Sequence, residues 1–164
     1  MVMGMKIRTA TLDDLIAVSK IEEKCFPPLE AATAKDFEQR LRIYPNHFWV
    51  MEKDSNLIGF VNGALCIAKD LCDEMYADAS YHDPNGKWQM IYGLDVIPEQ
   101  QHKGYATQLM NHAIQESKNR GYNGMVLTCK DYMIPFYERF GFVNEGISKS
   151  IHGNVTWYQM RLQF

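Results

Sequence analysis

One apolar stripe, placed directly after the pattern of a buried strand, constrains the fold of this chain most. Five residues recur at the spacing that marks one face of an α-helix: Ala106, Leu109, Met110, Ala113 and Ile114. The segment before them, Gln89 to Ile97, reads as a buried strand, and Pro98 ends it. A strand, a short loop and an amphipathic helix in this order predict a sheet with helices on its faces.

The rest of the chain mixes helix and strand signals. Thr11 and Thr33 are each followed three residues later by an aspartate, a pattern typical of a helix start. Apolar runs around the polar turn 54–56 predict a hairpin. The patterns predict helices over 11–27, 33–44, 106–120 and 135–140, and strands over 48–51, 57–61, 89–97, 124–129 and 155–162. They indicate an α/β or α+β fold.

Length and charge limit the class of protein. The chain has 164 residues and 19.0 kDa, the size of one domain, and we expect a single domain over residues 1–164. A net charge of −3 does not provide the broad basic surface that nucleic acid or an anionic membrane requires. No apolar run has the length of a membrane helix, and Met1 to Arg8 lacks the apolar core of a signal peptide. We therefore expect a cytoplasmic protein without a nucleic-acid or membrane partner.

The four cysteines, Cys25, Cys66, Cys72 and Cys129, include no Cys-x-x-Cys pair and lie in mostly apolar contexts. This spacing favours reduced, buried thiols over disulfides or a zinc site. We expect no bound metal.

The segment 66–87 lacks clear periodicity and carries five acidic residues against two lysines. One interpretation is a solvated surface connection. The alternative is a functional lid whose acidic rim attracts a cation.

The loop Gln101 to Ala106 carries the chemical signal. It opens the amphipathic helix, where a glycine lets the backbone approach an anion and the N–H groups of the first helical turn point at that anion. This placement predicts a phosphate-binding loop. The loop matches neither Gly-x-Gly-x-x-Gly nor a Gly-Lys-Ser/Thr motif, so it indicates neither a dinucleotide fold nor a nucleoside triphosphatase.

In this context the chain resembles the GCN5-related N-acetyltransferase (GNAT) superfamily, whose signature Gln/Arg-x-x-Gly-x-Gly/Ala is matched by Gln101, Gly104 and Ala106. The resemblance implies a central, mostly antiparallel twisted sheet flanked by helices, and acetyl-CoA as cosubstrate. In that family the loop holds the pyrophosphate, while strand residues corresponding to Leu94 and Val96 bind the thioester carbonyl and pantetheine through the main chain. The acetyl-CoA contacts implied are Leu94, Asp95, Val96, Gln101, His102, Lys103, Gly104, Tyr105, Ala106, Thr107, Lys130 and Tyr137.

Three further stretches resemble the arylalkylamine N-acetyltransferase branch: 25–32, 127–142 and 152–158. By this resemblance Tyr137 matches the tyrosine beside the sulfur of coenzyme A, where a phenol can protonate the leaving thiolate. The alternative is a core aromatic residue. Met90 and Tyr92 stand where that branch has two histidines, so the family base is missing. Tyr92, His82 and His152 are the remaining candidate bases, unless water deprotonates the amine beforehand.

For the acceptor, the sequence offers aromatic residues that attract an ammonium group, with His82 beside them in the acidic segment. The candidate lining residues are Phe26, Trp49, His82 and Trp157, with Tyr76, Tyr81 and Trp88 as further aromatic candidates. We therefore expect an acetyl-CoA-dependent N-acetyltransferase acting on a small-molecule amine. The alternatives are acetylation of a protein amino group and a catalytically silent sensor that binds coenzyme A. A homodimer is compatible with the sequence.

Overall fold

The computed structural model describes residues 4–164. Contacts divide the chain into two compact units, the first formed by Met1–Asn62 and Gly93–Ala113, the second by Gly63–Tyr92 and Ile114–Phe164. Residues 1–3 lie outside the described part. They belong to the predicted single domain and to the stretch Met1 to Arg8, which lacks a signal-peptide pattern. Within residues 4–164 no helix combines the length and hydropathy needed to cross a bilayer.

The described residues form nine strands and five α-helices. The strands are β1 (Met5–Thr9), β2 (Phe48–Lys53), β3 (Asn56–Asn62), β4 (Leu65–Cys66), β5 (Trp88–Ile91), β6 (Gly93–Val96), β7 (Gly124–Cys129), β8 (Val143–Ile147) and β9 (Tyr158–Gln163). The helices are α1 (Leu15–Cys25), α2 (Ala34–Ile43), α3 (Glu74–Ala77), α4 (Tyr105–Asn119) and α5 (Ile134–Glu138).

The first unit is built on an antiparallel sheet in the order β1-β2-β3-β6. The hairpin β2–β3 confirms the sequence prediction, and its turn residues Asp54 and Ser55 both have positive φ, which suits a tight hairpin. Phe37 of α2 packs edge-on against Phe48 and Phe60 of the sheet, with ring centroids 6.0 and 5.6 Å apart. This aromatic contact lies at the centre of the core between the sheet and helices α1 and α2.

Capping explains where the first two helices begin. Thr33 and Asp36 form the predicted capping box at the start of α2. At Thr11 the same box opens a 3-10 turn over Leu12–Asp14, and α1 follows at Leu15. The carboxylate of Asp14 also receives two hydrogen bonds from Arg8, both 2.9 Å long. The helix start is therefore tied to strand β1.

The second unit contains a five-stranded sheet in the order β4-β5-β7-β9-β8. Only β5 and β7 pair in parallel there, so the described strands are mostly antiparallel, as the family resemblance implied. Arg161 of β9 binds Glu145 of β8 and Asp70 of the acidic segment. This ion-pair group fixes the start of segment 66–87 to the sheet.

The sequence prediction was wrong about residues 89–97. The run is two strands in two sheets, because β5 pairs with β7 while β6 pairs with β3. The break falls at Tyr92, which no ladder pair includes among the described strands. The last strand also begins later than predicted, at Tyr158, because Tyr158 is the first residue of this segment that pairs with β7 and β8. Strands β1 and β8 had no sequence signal, and β8 is almost entirely exposed.

Candidate functional site

The loop that precedes α4 has the geometry of an anion-binding helix start. Residues 101–104 are exposed, and His102 and Gly104 both have positive φ, 62° and 86°. The N–H of Gln108 bonds to the carbonyl of Gly104 over 3.1 Å, which begins the helical ladder. The N–H groups of Tyr105, Ala106 and Thr107 therefore precede the ladder and point out of the helix start. Such a start attracts a phosphate group through its N–H groups and the helix dipole.

Two lysines add positive charge beside this loop. The ammonium groups of Lys53 and Lys103 lie 3.3 and 3.4 Å from the side-chain oxygen of Gln100. Lys53 also lies over the ring of Tyr105, 5.3 Å from its centroid. Lys53 was not identified from the sequence, because it belongs to β2, far along the chain from the loop. Both cations favour an anionic ligand at the start of α4.

Strand β6 presents main-chain groups at an edge of its sheet. In the sheet formed by the described residues, β6 is the last strand and pairs only with β3. The N–H of Ile97 donates to the carbonyl of Ile58, and bonded pairs alternate along an antiparallel ladder. The main-chain groups of Leu94 and Val96 therefore point to the unpaired edge, whereas those of Asp95 face β3. The carbonyl of Val96 accepts from Gln101 over 2.8 Å and from the Cys25 thiol over 3.3 Å.

The side chain of Asp95 lies on the face of β6 that carries α1 and α2. It is 1% exposed, and its electrostatic neighbours are Glu22 of α1 and Arg40 of α2. Burial and the charge of Glu22 raise the pKa of Asp95 well above its usual range. The side chain of Asp95 is therefore a buried titratable group between strand β6 and helices α1 and α2.

The two other sequence-predicted residues of the first unit have different environments. Phe26 is half-buried and follows the last residue of α1. Trp49 is 1% exposed and packs edge-on between His47 and His112, at 6.5 and 6.4 Å between ring centroids. The structure therefore gives Trp49 a core position.

In the second unit an aromatic cluster brings together several candidates. We use aromatic cluster for Tyr76, Tyr92, His152 and Trp157. The Tyr76 ring lies 4.9 Å from Tyr92 and stacks on His152 at 5.6 Å with an interplanar angle of 11°. His152 in turn lies 6.3 Å from Trp157, whose indole N–H donates to the His152 carbonyl over 2.7 Å. The Tyr76 hydroxyl is 3.1 Å from that of Thr128 in β7.

The acidic segment holds the aromatic cluster in place. Asp73 accepts hydrogen bonds from the Ser150 hydroxyl and from the Ile151 N–H, the latter over 3.0 Å. It thereby ties the start of α3, which carries Tyr76, to the segment that carries His152. Lys130 lies over the Trp157 ring at 5.9 Å. The role of Asp73 could not be predicted, because Asp73 lies in a segment without clear periodicity.

Tyr137, in α5, is 7% exposed. Its ring contacts Phe136 and Phe142 edge-on, with centroids 5.0 and 5.8 Å apart. These two rings restrict the orientation of the phenol.

Burial disfavours the thiolate form of three of the cysteines. Burial raises the pKa of Cys25 to about 12, and those of Cys66 and Cys129 to about 11, so these thiols are protonated at neutral pH. All four cysteines are unpaired. Across residues 4–164 no group of three histidine, cysteine or acidic side chains is arranged to hold a metal ion.

Comparison with known proteins gives a consistent result. Residues 15–142 match the model of the acetyltransferase (GNAT) family. Serotonin N-acetyltransferase of Mesocricetus auratus is 23% identical over 160 residues, which is 95% of this chain and 76% of that protein.

Solved structures share the fold. The loading GNATL domain of CurA from Lyngbya majuscula superposes with a TM-score of 0.84 at 13% identity, covering 98% of both chains. A GNAT family acetyltransferase from Brucella melitensis, solved in complex with acetyl-CoA, has a TM-score of 0.63 at 20% identity and covers 99% of this chain and 89% of its own.

Proposed function

Because this chain belongs to the GNAT acetyltransferase family, we propose that it transfers the acetyl group of acetyl-CoA to the primary amine of a small molecule. The main observation in favour of acetyl-CoA as the acetyl donor is the exposed loop 101–104. Positive φ values in this loop leave the first N–H groups of α4 open to solvent, where they can bind an anion such as pyrophosphate. Lys53 and Lys103 supply the charge that a pyrophosphate needs. The acetyl-CoA complex of the Brucella protein supports the same donor.

The unpaired edge of β6 is suited to bind the acetyl thioester of acetyl-CoA. The main-chain N–H groups of Leu94 and Val96 point to the unpaired edge, where Leu94 would hold the thioester carbonyl. A hydrogen bond to that oxygen stabilises the negative charge that develops when an amine attacks the carbonyl carbon. The carbonyl of Val96 already accepts two hydrogen bonds, which fix the strand against the loop.

Tyr137 is proposed as the general acid. When the amine nitrogen attacks, the carbon–sulfur bond breaks and the departing thiolate needs a proton, which a phenol can give. The contacts with Phe136 and Phe142 hold the ring in one orientation. The likeness of residues 127–142 to the arylalkylamine branch supports this role.

The aromatic cluster is proposed as the acceptor site. Electron-rich faces of Tyr76, Tyr92 and Trp157 attract an ammonium group before it loses its proton. Asp70, Asp73 and other acidic residues of segment 66–87 favour a cationic acceptor. Serotonin N-acetyltransferase, by its name, acts on an arylalkylamine, which supports a small amine here.

The test measures thiol release from acetyl-CoA with the purified 164-residue chain. The acceptor panel contains arylalkylamines, polyamines, amino acids, aminoglycosides and lysine peptides. We expect release with one class of small amine. Release with lysine peptides alone would replace the small-molecule acceptor with a protein one. If acetyl-CoA binds and no acceptor gives release, the proposed small-amine acceptor is wrong, and a sensor that binds coenzyme A or an acceptor outside the panel replaces it.

A further inference from the structure

The aromatic cluster of the second unit has a positive charge beside it. The ammonium group of Lys130 lies over the ring of Trp157, 5.9 Å from its centroid. Both side chains are half-buried, and both belong to the second unit, as the other members of the aromatic cluster do. A cation that is held against an aromatic ring and partly removed from water raises the local positive potential. An anionic group of a ligand would therefore be stabilised beside Lys130.

The polar atoms of two rings in the aromatic cluster are already engaged. The indole N–H of Trp157 donates to the His152 carbonyl over 2.7 Å, and the Tyr76 hydroxyl is 3.1 Å from that of Thr128. Tyr76 and Trp157 therefore offer a ligand their ring faces and not their polar atoms. The Lys130 ammonium, with its several N–H donors, is the strongest hydrogen-bond donor to an anion beside these faces.

The two ends of the aromatic cluster differ in charge. Tyr76, His152 and Trp157 follow one another as a row of ring contacts, with centroids 5.6 and 6.3 Å apart. At one end of this row Lys130 covers Trp157. At the other end Tyr76 belongs to α3, whose N-cap residue is Asp73. The row therefore has an acidic end at α3 and a basic end at Lys130.

An aromatic α-amino acid matches this distribution of rings and charges. Its side chain can stack on the rings of the aromatic cluster, and its carboxylate can bind the Lys130 ammonium through a charge-assisted hydrogen bond. Its own ammonium group is attracted by the acidic end before it loses its proton. An arylalkylamine lacks the carboxylate, so the charge of Lys130 only repels it. Lys130 therefore favours an acceptor that carries a carboxylate.

We propose that the acceptor is an aromatic α-amino acid whose carboxylate is bound by Lys130. This inference rests on the proposed function, in which the aromatic cluster receives the acceptor. The ammonium group of the amino acid loses one proton to solvent, and its neutral nitrogen attacks the acetyl carbon. The carbon–sulfur bond then breaks and the thiolate leaves with the second proton, so the products are an N-acetyl amino acid, a free thiol and one released proton. Lys130 touches none of the reacting atoms and determines specificity.

The family resemblance implies a different role for Lys130, as a contact of acetyl-CoA. The contact with Trp157 favours the acceptor, because Trp157 belongs to the aromatic cluster. The two roles predict different effects of a substitution. A donor contact changes the rate with every acceptor by the same factor, whereas a carboxylate contact changes only the rate with acceptors that carry a carboxylate.

Matched pairs of acceptors test the proposal on the wild-type enzyme. Tryptophan and tryptamine, tyrosine and tyramine, and phenylalanine and phenethylamine differ only in the carboxylate. Thiol release from acetyl-CoA gives kcat/KM for each compound. We expect kcat/KM to be roughly 10-fold or more higher for the amino acid of at least one pair than for its amine. This comparison needs no variant, so it decides even where a variant does not fold.

Three variants then assign the preference to Lys130. Lys130→Met keeps an apolar side chain against Trp157 and removes the charge. It should lower the ratio of kcat/KM for the amino acid to kcat/KM for its amine by roughly 10-fold to 100-fold. Lys130→Arg restores a cation and should recover most of the ratio. Lys149→Met is the matched control, because Lys149 is an exposed lysine of the same unit, and its ratio should stay at the wild-type value.

Calorimetry supplies a readout that does not depend on turnover. Tryptophan is titrated into protein saturated with coenzyme A, which carries no acetyl group to transfer. We expect Lys130→Met to weaken the binding of tryptophan by roughly 10-fold or more and to leave the affinity for acetyl-CoA unchanged.

The outcomes distinguish this inference from the proposed function. An enzyme that acetylates the amine of each pair at least as well as the amino acid overturns the role of the carboxylate alone. A Lys130→Met variant that loses acetyl-CoA affinity, or that slows both members of each pair equally, also overturns it and leaves the transferase in place. A wild-type protein that binds acetyl-CoA and acetylates no acceptor overturns the proposed function and this inference together.

Discussion

The backbone N–H of Leu65 donates a hydrogen bond to Nδ1 of His82 over 3.0 Å. An imidazole nitrogen that accepts this bond carries no proton, so the ring is neutral with its hydrogen on Nε2. Burial also lowers the pKa of His82 below its ordinary value of 6.5. His82 therefore has a structural role at strand β4.

A substitution of His82 tests this role. His82→Ala leaves the buried Leu65 N–H without an acceptor and should lower the free energy of unfolding by about 1–3 kcal/mol. His82→Asn, whose side-chain oxygen can replace Nδ1, should recover most of that loss and keep kcat. Urea unfolding and thiol release measure the two quantities. A large fall in kcat for a stable His82→Asn variant would return His82 to the list of bases.

The same bond sets a pH dependence. Because the pKa of His82 is lower in the folded state, the stabilisation is fully present above pH 6.5, the unfolded value, and is lost as the pH falls through the folded value. The difference in free energy of unfolding between wild type and His82→Ala should therefore shrink as the pH is lowered from about 7.5 to about 5. Equal differences at both pH values would contradict the assignment of Nδ1 as acceptor.

Tyr137 should matter for turnover and not for donor binding. Tyr137→Phe keeps the ring contacts with Phe136 and Phe142 but removes the hydroxyl. We expect kcat to fall by roughly 100-fold while calorimetry shows unchanged acetyl-CoA affinity. Tyr132→Phe is the matched control, because Tyr132 is 69% exposed in the turn just before α5. Equal rates for the two variants would remove Tyr137 as the general acid.

Gly104 should be required for acetyl-CoA binding because of its backbone conformation. Its φ of +86° is unfavourable for any residue with a Cβ, although nothing lies within 4 Å of that position. Gly104→Val therefore costs about 1–2 kcal/mol of loop strain, and we expect acetyl-CoA affinity to fall roughly tenfold or more. Gly121→Val is the control, since Gly121 has a φ of +80° and equally open space just beyond the end of α4. It should lose similar stability and keep its affinity for acetyl-CoA.

Local patterns predicted the elements that depend on neighbouring residues, and failed where distant residues decide. The hairpin β2–β3, the capping box at Thr33 and the stripe of α4 were predicted because turn, cap and period are encoded within a few residues. The break at Tyr92 was not, because both halves of residues 89–97 are mostly apolar and only their pairing with β7 and β3 separates them.

The candidate site shows the same limit. The proposed phosphate-binding loop and Tyr137 were identified from motifs that resemble a known family. The group around Asp95 could not be found in this way, because Glu22, Arg40 and Asn62 come from three different elements and meet only in the folded chain. Tyr76 lies in a segment without periodicity, so its place at the centre of the aromatic cluster also depended on the structure.

Arg40 should contribute strongly to stability because its positive charge lies beside the buried carboxyl group of Asp95. Arg40→Met fills much of the same volume and removes the charge beside Asp95, as well as the donor to Asn62. Removal of one partner from such a buried group costs about 3–5 kcal/mol, and urea unfolding at about pH 7.5 should show a loss of this size. Arg42→Met on the same helix is the control, because Arg42 is exposed and forms a surface ion pair with Glu38 over 3.0 Å. Its loss of stability should stay within about 0.5 kcal/mol.

The cost of Arg40→Met should also depend on pH in a defined direction. Without the arginine, the carboxyl group of Asp95 loses a charge that lowers its pKa, so it avoids unpaired charge by binding a proton as the pH falls. The deficit relative to wild type should therefore be largest at about pH 7.5 and smaller at about pH 5, whereas that of Arg42→Met should change little. A deficit of the same size at both pH values would mean that Arg40 acts mainly through packing on Phe37, whose ring it covers at 5.3 Å, and not through the buried carboxyl group of Asp95.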